Sequence, residues 1–297
     1  MRIVSLIPSA TEIVCALGAG DQLAGRSHEC DFPAGVTALP ALTRPRLPLS
    51  GGSRAIDQAV NRAFTDGIAV YAVDLDLLAR LAPDVIVTQD QCEVCAASLA
   101  QVEEAVCAVL PSRPAIVSLK PASLADAYED VRRVAAALNR DPDPVVAAMQ
   151  LWIERPAKMP APPRVVFLEW IDPLMGPGLW TPELIEVTGG LSVLGDKGRH
   201  TFSRPPDALA GAAPDILVVA PCGYDIATTL KERDILESLP GWAGIPAVRN
   251  RRVAIADGNA YFNRPGPRLA DSAEILRDLY LGRPGDGTRY VWLHEVA

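Results

Sequence analysis

Positive charge, histidine and aromatic rings are all scarce in this chain. Its 28 Lys and Arg stand against 36 Asp and Glu, a net charge of -8. Nucleic-acid binding needs a concentrated positive field, so nucleic acid is excluded as a partner. No stretch approaches the roughly 20 consecutive apolar residues of a membrane-spanning helix, so no span is expected. There is no Gly-x-Ser-x-Gly, no phosphate-binding loop, no His-Glu-x-x-His and no dinucleotide fingerprint. Gly18-Ala19-Gly20 closes a helical run instead of opening one, the wrong context for a nucleotide. The common hydrolase, nucleotide and zinc-protease chemistries therefore have no carrier.

The opening residues lack the apolar run of roughly 7–15 residues that a secretory signal carries. Met1-Arg2 leads directly into Ile3-Val4-Ser5-Leu6-Ile7-Pro8, a strand meeting a turn. A cytoplasmic location is expected, or a periplasmic one if a signal has been removed. The six cysteines are even in number, but a chain of 297 residues does not need disulfide staples. Cys15 and Cys107 fall at apolar positions of helical runs and read as core, while Cys222 follows a strand.

Hydrophobic residues make up 49% of the chain, enough for a substantial core. Two segments repeat. Leu78-Ala79-Arg80-Leu81-Ala82-Pro83-Asp84-Val85-Ile86-Val87 is echoed by Leu209-Ala210-Gly211-Ala212-Ala213-Pro214-Asp215-Ile216-Leu217-Val218. Each reads as a helix end, a Pro-Asp turn and a strand buried on both faces. Arg2-Ile3-Val4-Ser5-Leu6 likewise resembles Arg164-Val165-Val166-Phe167-Leu168. The pattern predicts two similar α/β lobes, 1–140 and 161–297. Ser9 with Glu12 predicts a capping box, and Thr181-Pro182 a second helix entry. The spacing of Leu124, Ala127, Tyr128, Val131, Val134, Ala135 and Leu138 predicts a helix over 123–138. A second helix from Val145 to about Lys158 follows, so 141–160 is expected to connect the lobes as a stiff spacer of roughly 20 Å.

Ligands of open parallel α/β sheets sit beyond the carboxyl ends of the strands. In the first lobe this singles out Pro8 and Ser9, then His28, Glu29 and Cys30, then Gln89, Gln91 and Cys92. In the second it singles out Trp170, Asp172, Trp180, Tyr261 and Phe262. Aromatics are only 5% of the chain, so four in these loops predict a large, flat, partly apolar ligand held between the lobes. The alternative is that the tryptophans close the second lobe's own core.

Taken in order, these segments resemble the periplasmic binding proteins that serve ABC importers of cobalamin and iron-siderophore complexes. The cobalamin-binding branch is the nearest in pattern. The resemblance rests on Leu6-Ile7-Pro8-Ser9-Ala10-Thr11-Glu12, on the two Ala-Pro-Asp turns and on Val166-Phe167-Leu168 through Val187-Thr188-Gly189-Gly190. Phe262-Asn263-Arg264 leading to Pro267-Arg268 extends it. It implies two Rossmann-like lobes joined by a single long helix, the class III, helical-backbone metal-receptor fold. It further implies non-catalytic binding of cobalamin or a related corrinoid, with siderophore or haem as alternatives. An ABC transporter permease becomes a candidate partner, and a monomer is expected. Ser27-His28-Glu29-Cys30-Asp31 and Gln91-Cys92-Glu93-Val94-Cys95 are associated with a signal-less subgroup of this family.

His28, Cys30, Cys92 and Cys95 are a chemically adequate set for Zn²⁺ or another thiophilic ion. His28 or a thiolate is equally suited to the exchangeable axial position of a corrinoid cobalt. Cys-x-x-Cys is also a redox pair when one thiol is activated. The plain alternative is a locally hydrogen-bonded histidine beside packed cysteines. A metal- or thiol-dependent enzyme built on the same four residues is the rival to a binding protein. On the binding reading no cofactor is required.

Overall fold

The computed structural model describes residues 1–47, 51–66, 70–90, 102–104, 106 and 113–296. The chain divides into two compact units. One holds Met1–Ser50, Gln58–Pro121 and Ala125–Ala147; the other holds Gly51–Asp57, Ala122–Leu124 and Ala148–Ala297.

The first unit is built on four parallel strands, β1 (Ile3–Ser5), β2 (Leu23–Arg26), β5 (Val85–Gln89) and β6 (Ala115–Leu119), in the order β2-β1-β5-β6. A short antiparallel pair, β3 (Thr43–Pro45) with β4 (Tyr71–Val73), stands beside them. Every residue of β1 and β5 is buried, as β-branched strands covered on both faces require. Helices α1 (Pro8–Ala16) and α3 (Leu75–Leu81) follow the strands, and α2 (Ser53–Thr65) has its first residues, to Asp57, in the second unit and the rest in this one.

The second unit repeats the plan with five strands. β7 (Arg164–Leu168), β9 (Leu191–Ser192), β11 (Ile216–Val219) and β12 (Val253–Ala256) are parallel, and β13 (Tyr290–Trp292) closes one edge antiparallel to β12. A two-residue pair, β8 (Gly178–Leu179) and β10 (Asp196–Lys197), lies apart from the main sheet. Val166, Leu168, Leu217, Val219 and Ile255 belong to one apolar cluster of this unit.

The sequence repeat is a structural one, down to single hydrogen bonds. α3 ends at Ala82 in the left-handed region (φ 41°), and the helix Ala208–Ala212 ends at Ala213 in the same region (φ 44°). Asp84 then accepts the Arg2 amide at 2.7 Å and donates its own amide to the Arg2 carbonyl. Asp215 does the same with Arg164, accepting at 2.9 Å. Each aspartate fixes the register of a parallel pair, Ile3 beside Val85 and Val165 beside Ile216. The Pro-Asp turn is thus a pin between strands distant in sequence.

Two local expectations are corrected. Ser9 does not cap α1: Ile7 is the extended residue before the helix, and Pro8 takes the first helical position. Proline's fixed φ favours that position, which moves Ser9 inside the helix. The second helix of the middle region covers Asp143–Ile153, not Val145 to Lys158. Pro156 accounts for the early end, since it disfavours helical geometry at Arg155 and has no amide to donate. The chain leaves the first unit and enters the second within this helix, between Ala147 and Ala148. Among the described residues, no helix is long and apolar enough to cross a membrane.

Candidate functional site

Beyond β2, the loop carrying His28 is held by its own neighbours. Arg26 donates to the carbonyls of Ser27 (2.9 Å), His28 (3.3 Å) and Thr37 (3.1 Å), which fixes the backbone of the turn. Thr43 Oγ1 then accepts the His28 amide at 3.1 Å and lies 2.7 Å from His28 Nδ1. The ring packs on Tyr71 with centroids 5.3 Å apart, and the Tyr71 hydroxyl donates to Glu29 Oε1 at 3.0 Å. Burial, reinforced by the Arg26 charge, lowers the His28 pKa below its ordinary 6.5. With Nδ1 held by Thr43, Nε2 is the nitrogen left for a ligand and lies 3.9 Å from Glu29 Oε1; a second hydrogen bond of this kind is what orients a metal-ligating histidine. His28 and Glu29 keep side-chain exposures of 26% and 36%, enough to meet a ligand from solvent.

The other first-unit candidates are placed differently. Pro8, Ser9, Cys30 and Gln89 are buried. Cys30 Sγ lies 3.0 Å from the Thr11 hydroxyl, which is also 2.8 Å from Ser5 Oγ. Cys30 is therefore an interior thiol, as the packed-cysteine alternative has it. Gln91, Cys92 and Cys95 lie outside the described residues. Among the described residues, no group of three His, Cys, Asp or Glu is placed to hold a metal ion.

In the second unit, the chain leaves β7 through a tight turn in which Glu169 and Met175 pair across Trp170–Leu174. Glu169 Oε1 accepts the Gly178 amide at 2.9 Å, so this carboxylate caps its loop. Asp172, followed by a cis Pro173, projects at the tip. It receives both Nε and Nη2 of Arg54, at 2.7 and 2.8 Å. Trp170 stacks obliquely on Tyr224, centroids 5.3 Å apart, and its indole N–H donates to the Ser53 carbonyl at 3.2 Å. Glu232, 5% exposed, accepts the Ser53 amide at 2.5 Å and the Tyr224 hydroxyl at 3.2 Å through the same oxygen. After β12, Tyr261 lies under the Arg268 guanidinium, 4.7 Å from the ring centroid.

Trp180 and Phe262 were expected on the ligand side and are instead interior. Phe262 is 0% exposed, with its ring 5.0 Å from that of Phe167. Trp180 donates its indole N–H to the Phe262 carbonyl at 2.8 Å. A large ring gains most from full burial, and its one polar group finds a backbone partner there. Trp170, Asp172 and Tyr261 stay partly exposed. The sequence reading missed Thr43 and Tyr71 beside His28, and Ser53, Tyr224 and Glu232 beside Trp170. Only Tyr224 carried a signal, since it follows β11 at the strand end where ligand loops begin.

Comparison with known proteins puts this geometry in context. Residues 3–260 match the family model described as periplasmic binding protein. No curated protein sequence matches. Among solved structures, the periplasmic heme-binding protein RhuT from Roseiflexus sp. RS-1 aligns over 94% of this chain and 98% of its own, at 22% identity and a TM-score of 0.65. A possible iron-binding, periplasmic solute-binding protein from Staphylococcus epidermidis ATCC 12228 covers 94% and 98%, at 20% identity and a TM-score of 0.67. The periplasmic vitamin B12 binding protein BtuF of Vibrio cholerae covers 94% and 95%, at 17% identity and a TM-score of 0.60. These likenesses establish the class III α/β fold. The family binds substrates for ABC importers and is in general non-enzymatic. Its description gives no support to the cytoplasmic location expected from the opening residues. With the match spanning most of its length, the chain belongs to the periplasmic binding protein family.

Proposed function

We propose that the chain binds a corrinoid, cobalamin or a close relative, without transforming it. The observation that carries this reading is His28. Its Nδ1 is engaged by Thr43, its ring is kept neutral by burial, and its side chain stays partly exposed. Such an imidazole is ready to enter the axial position of a metal in a flat macrocycle. Glu29 offers a carboxylate to amide groups of the ligand. In the second unit, Trp170 and Tyr261 offer ring surface and Asp172 a hydrogen-bond acceptor. The family role is delivery to a permease of an ABC importer from outside the cytoplasm; a chain kept in the cytoplasm would hold the corrinoid without delivering it.

Haem is the second reading, because the same imidazole suits iron as well as cobalt. Titration of the purified chain with aquocobalamin, and in parallel with haem, separates the two. A shift of the corrin bands that disappears in H28A is the expected result. A visible spectrum identical to free aquocobalamin rules out ligation by His28. A shift with haem alone reassigns the ligand.

A further inference from the structure

The contacts that tie Ser53 and Arg54 to the loop after β7 fall on Trp170 and Asp172, two residues that the proposed function places against the ligand. Arg54 occupies both oxygens of Asp172, and the Ser53 carbonyl occupies the Trp170 indole N–H. Glu232 holds the third point by accepting the Ser53 amide. The approach depends on glycine: a Cβ on Gly52 would stand 3.3 Å from Glu232 Oε1, and Gly51 has φ +114°, a value side-chain-bearing residues rarely adopt.

The docked state is also incomplete. Glu232 Oε2 and Ser53 Oγ are buried and reach no hydrogen-bond partner among the described residues. A buried carboxylate oxygen without a donor raises the free energy of the state that contains it. The Arg54–Asp172 pair adds little to offset this, because Arg54 is 69% exposed and water screens it. Three contacts thus hold the segment, at a cost that its release would relieve.

We propose that Gly52–Arg54 is an internal latch on the second unit, which occupies Trp170 and Asp172 when no ligand is bound and gives them up to the ligand. Arg54 and Ser53 act as surrogate ligand groups, and Glu232 is the residue that positions them. The inference rests on the reading that Trp170 and Asp172 face the ligand. The latch acts on affinity, since ligand must displace a contact already made.

Amide hydrogen exchange on the full chain, with and without hydroxocobalamin, tests it. In the wild type, Ser53–Asp57 is protected without ligand and exchanges about tenfold faster with it, while Glu169–Met175 slows. R54A and E232Q each raise exchange at Ser53–Asp57 by about fivefold or more without ligand and leave β7 and β11 protected. Both variants bind hydroxocobalamin about threefold or more tightly. Variants that lose protection in β7 and β11 together with Ser53–Asp57 overturn the inference, because the segment is then part of the unit's fold. So does ligand that binds while Ser53 stays protected, or a variant whose affinity falls. If hydroxocobalamin fails to bind the wild type, the corrinoid reading falls, and the ligand-free exchange of R54A and E232Q alone decides the latch.

Discussion

Beyond the strand ends of the first unit the side chains are polar and fasten one another: Arg26 holds the loop, Thr43 holds His28, and Tyr71 holds Glu29. Beyond the strand ends of the second, rings meet rings and carboxylates reach back to a segment far away in sequence, as Trp170 does to Tyr224 and Glu232 to Ser53. Yet the strands that carry these two surfaces start alike, each pinned by a Pro-Asp turn after a left-handed alanine. The frame of the two units is equivalent, and the chemistry placed on it is not. Fold and function can therefore be disturbed separately, at the strand starts and the strand ends.

The sharpest disturbance is expected inside the second unit. Phe262→Ala removes a ring at 0% exposure and should cost about 3–5 kcal/mol, read as a lower urea midpoint. Tyr261→Ala, one residue earlier and partly exposed, should cost under about 1 kcal/mol and weaken ligand binding instead. A pair of variants with equal stability losses would erase the distinction between core and ligand aromatics drawn here.

A smaller effect should follow pH at one carboxyl of the first unit. Asp130 is fully buried under the Lys120 amide and beside Arg133, and burial, the dominant cause, raises its carboxyl from 3.8 to about 7. The folded chain then keeps a proton that the unfolded chain loses near pH 4. The stability it contributes is complete below that pH and disappears as pH rises through 7. Across this window urea midpoints of the wild type should fall relative to those of Asp130→Asn by an equivalent of about 2–4 kcal/mol. Parallel profiles for the two proteins would assign the pH response to another group.

The equivalence itself is open to the mildest test. Asp84→Ala and Asp215→Ala each remove one hydrogen bond at an exposed strand start, so each should cost about 0.5–1.5 kcal/mol, and by matching amounts. Denaturation of the two variants side by side checks this. A loss confined to one of them would make the repeat a resemblance of sequence without a shared mechanical role.

The frame was legible in the sequence because its signals are local and redundant. Two Ala-Pro-Asp turns, each followed by a β-branched run, announce two parallel strand pairs, and the structure supplies both. The helix over 123–138 was announced by its apolar period and runs from Leu124 to Leu138. The site was legible only in part. Position after a strand end marks a loop, but it does not say whether a ring turns inward or outward, and so Trp180 and Phe262 were placed on the wrong side. The partners of the site residues were hidden by distance along the chain. Nothing near Trp170 points to Ser53, 117 residues earlier, or from Ser53 to Glu232, 179 residues later. Cys92 and Cys95, the strongest motif for metal chemistry, lie outside the described residues.

The two aspartate pins also set a timetable for biosynthesis. Arg2 meets Asp84 across 82 residues, and Arg164 meets Asp215 across 51. At about 5–20 residues per second, β1 emerges from the ribosome about 4–16 s before its central partner, and β7 about 3–10 s before its own. During that interval the edge of Ile3-Val4-Ser5 that will face β5 is unpaired, while β2 is already available for the other edge. The amino-terminal pair thus waits the longer for its closing contact.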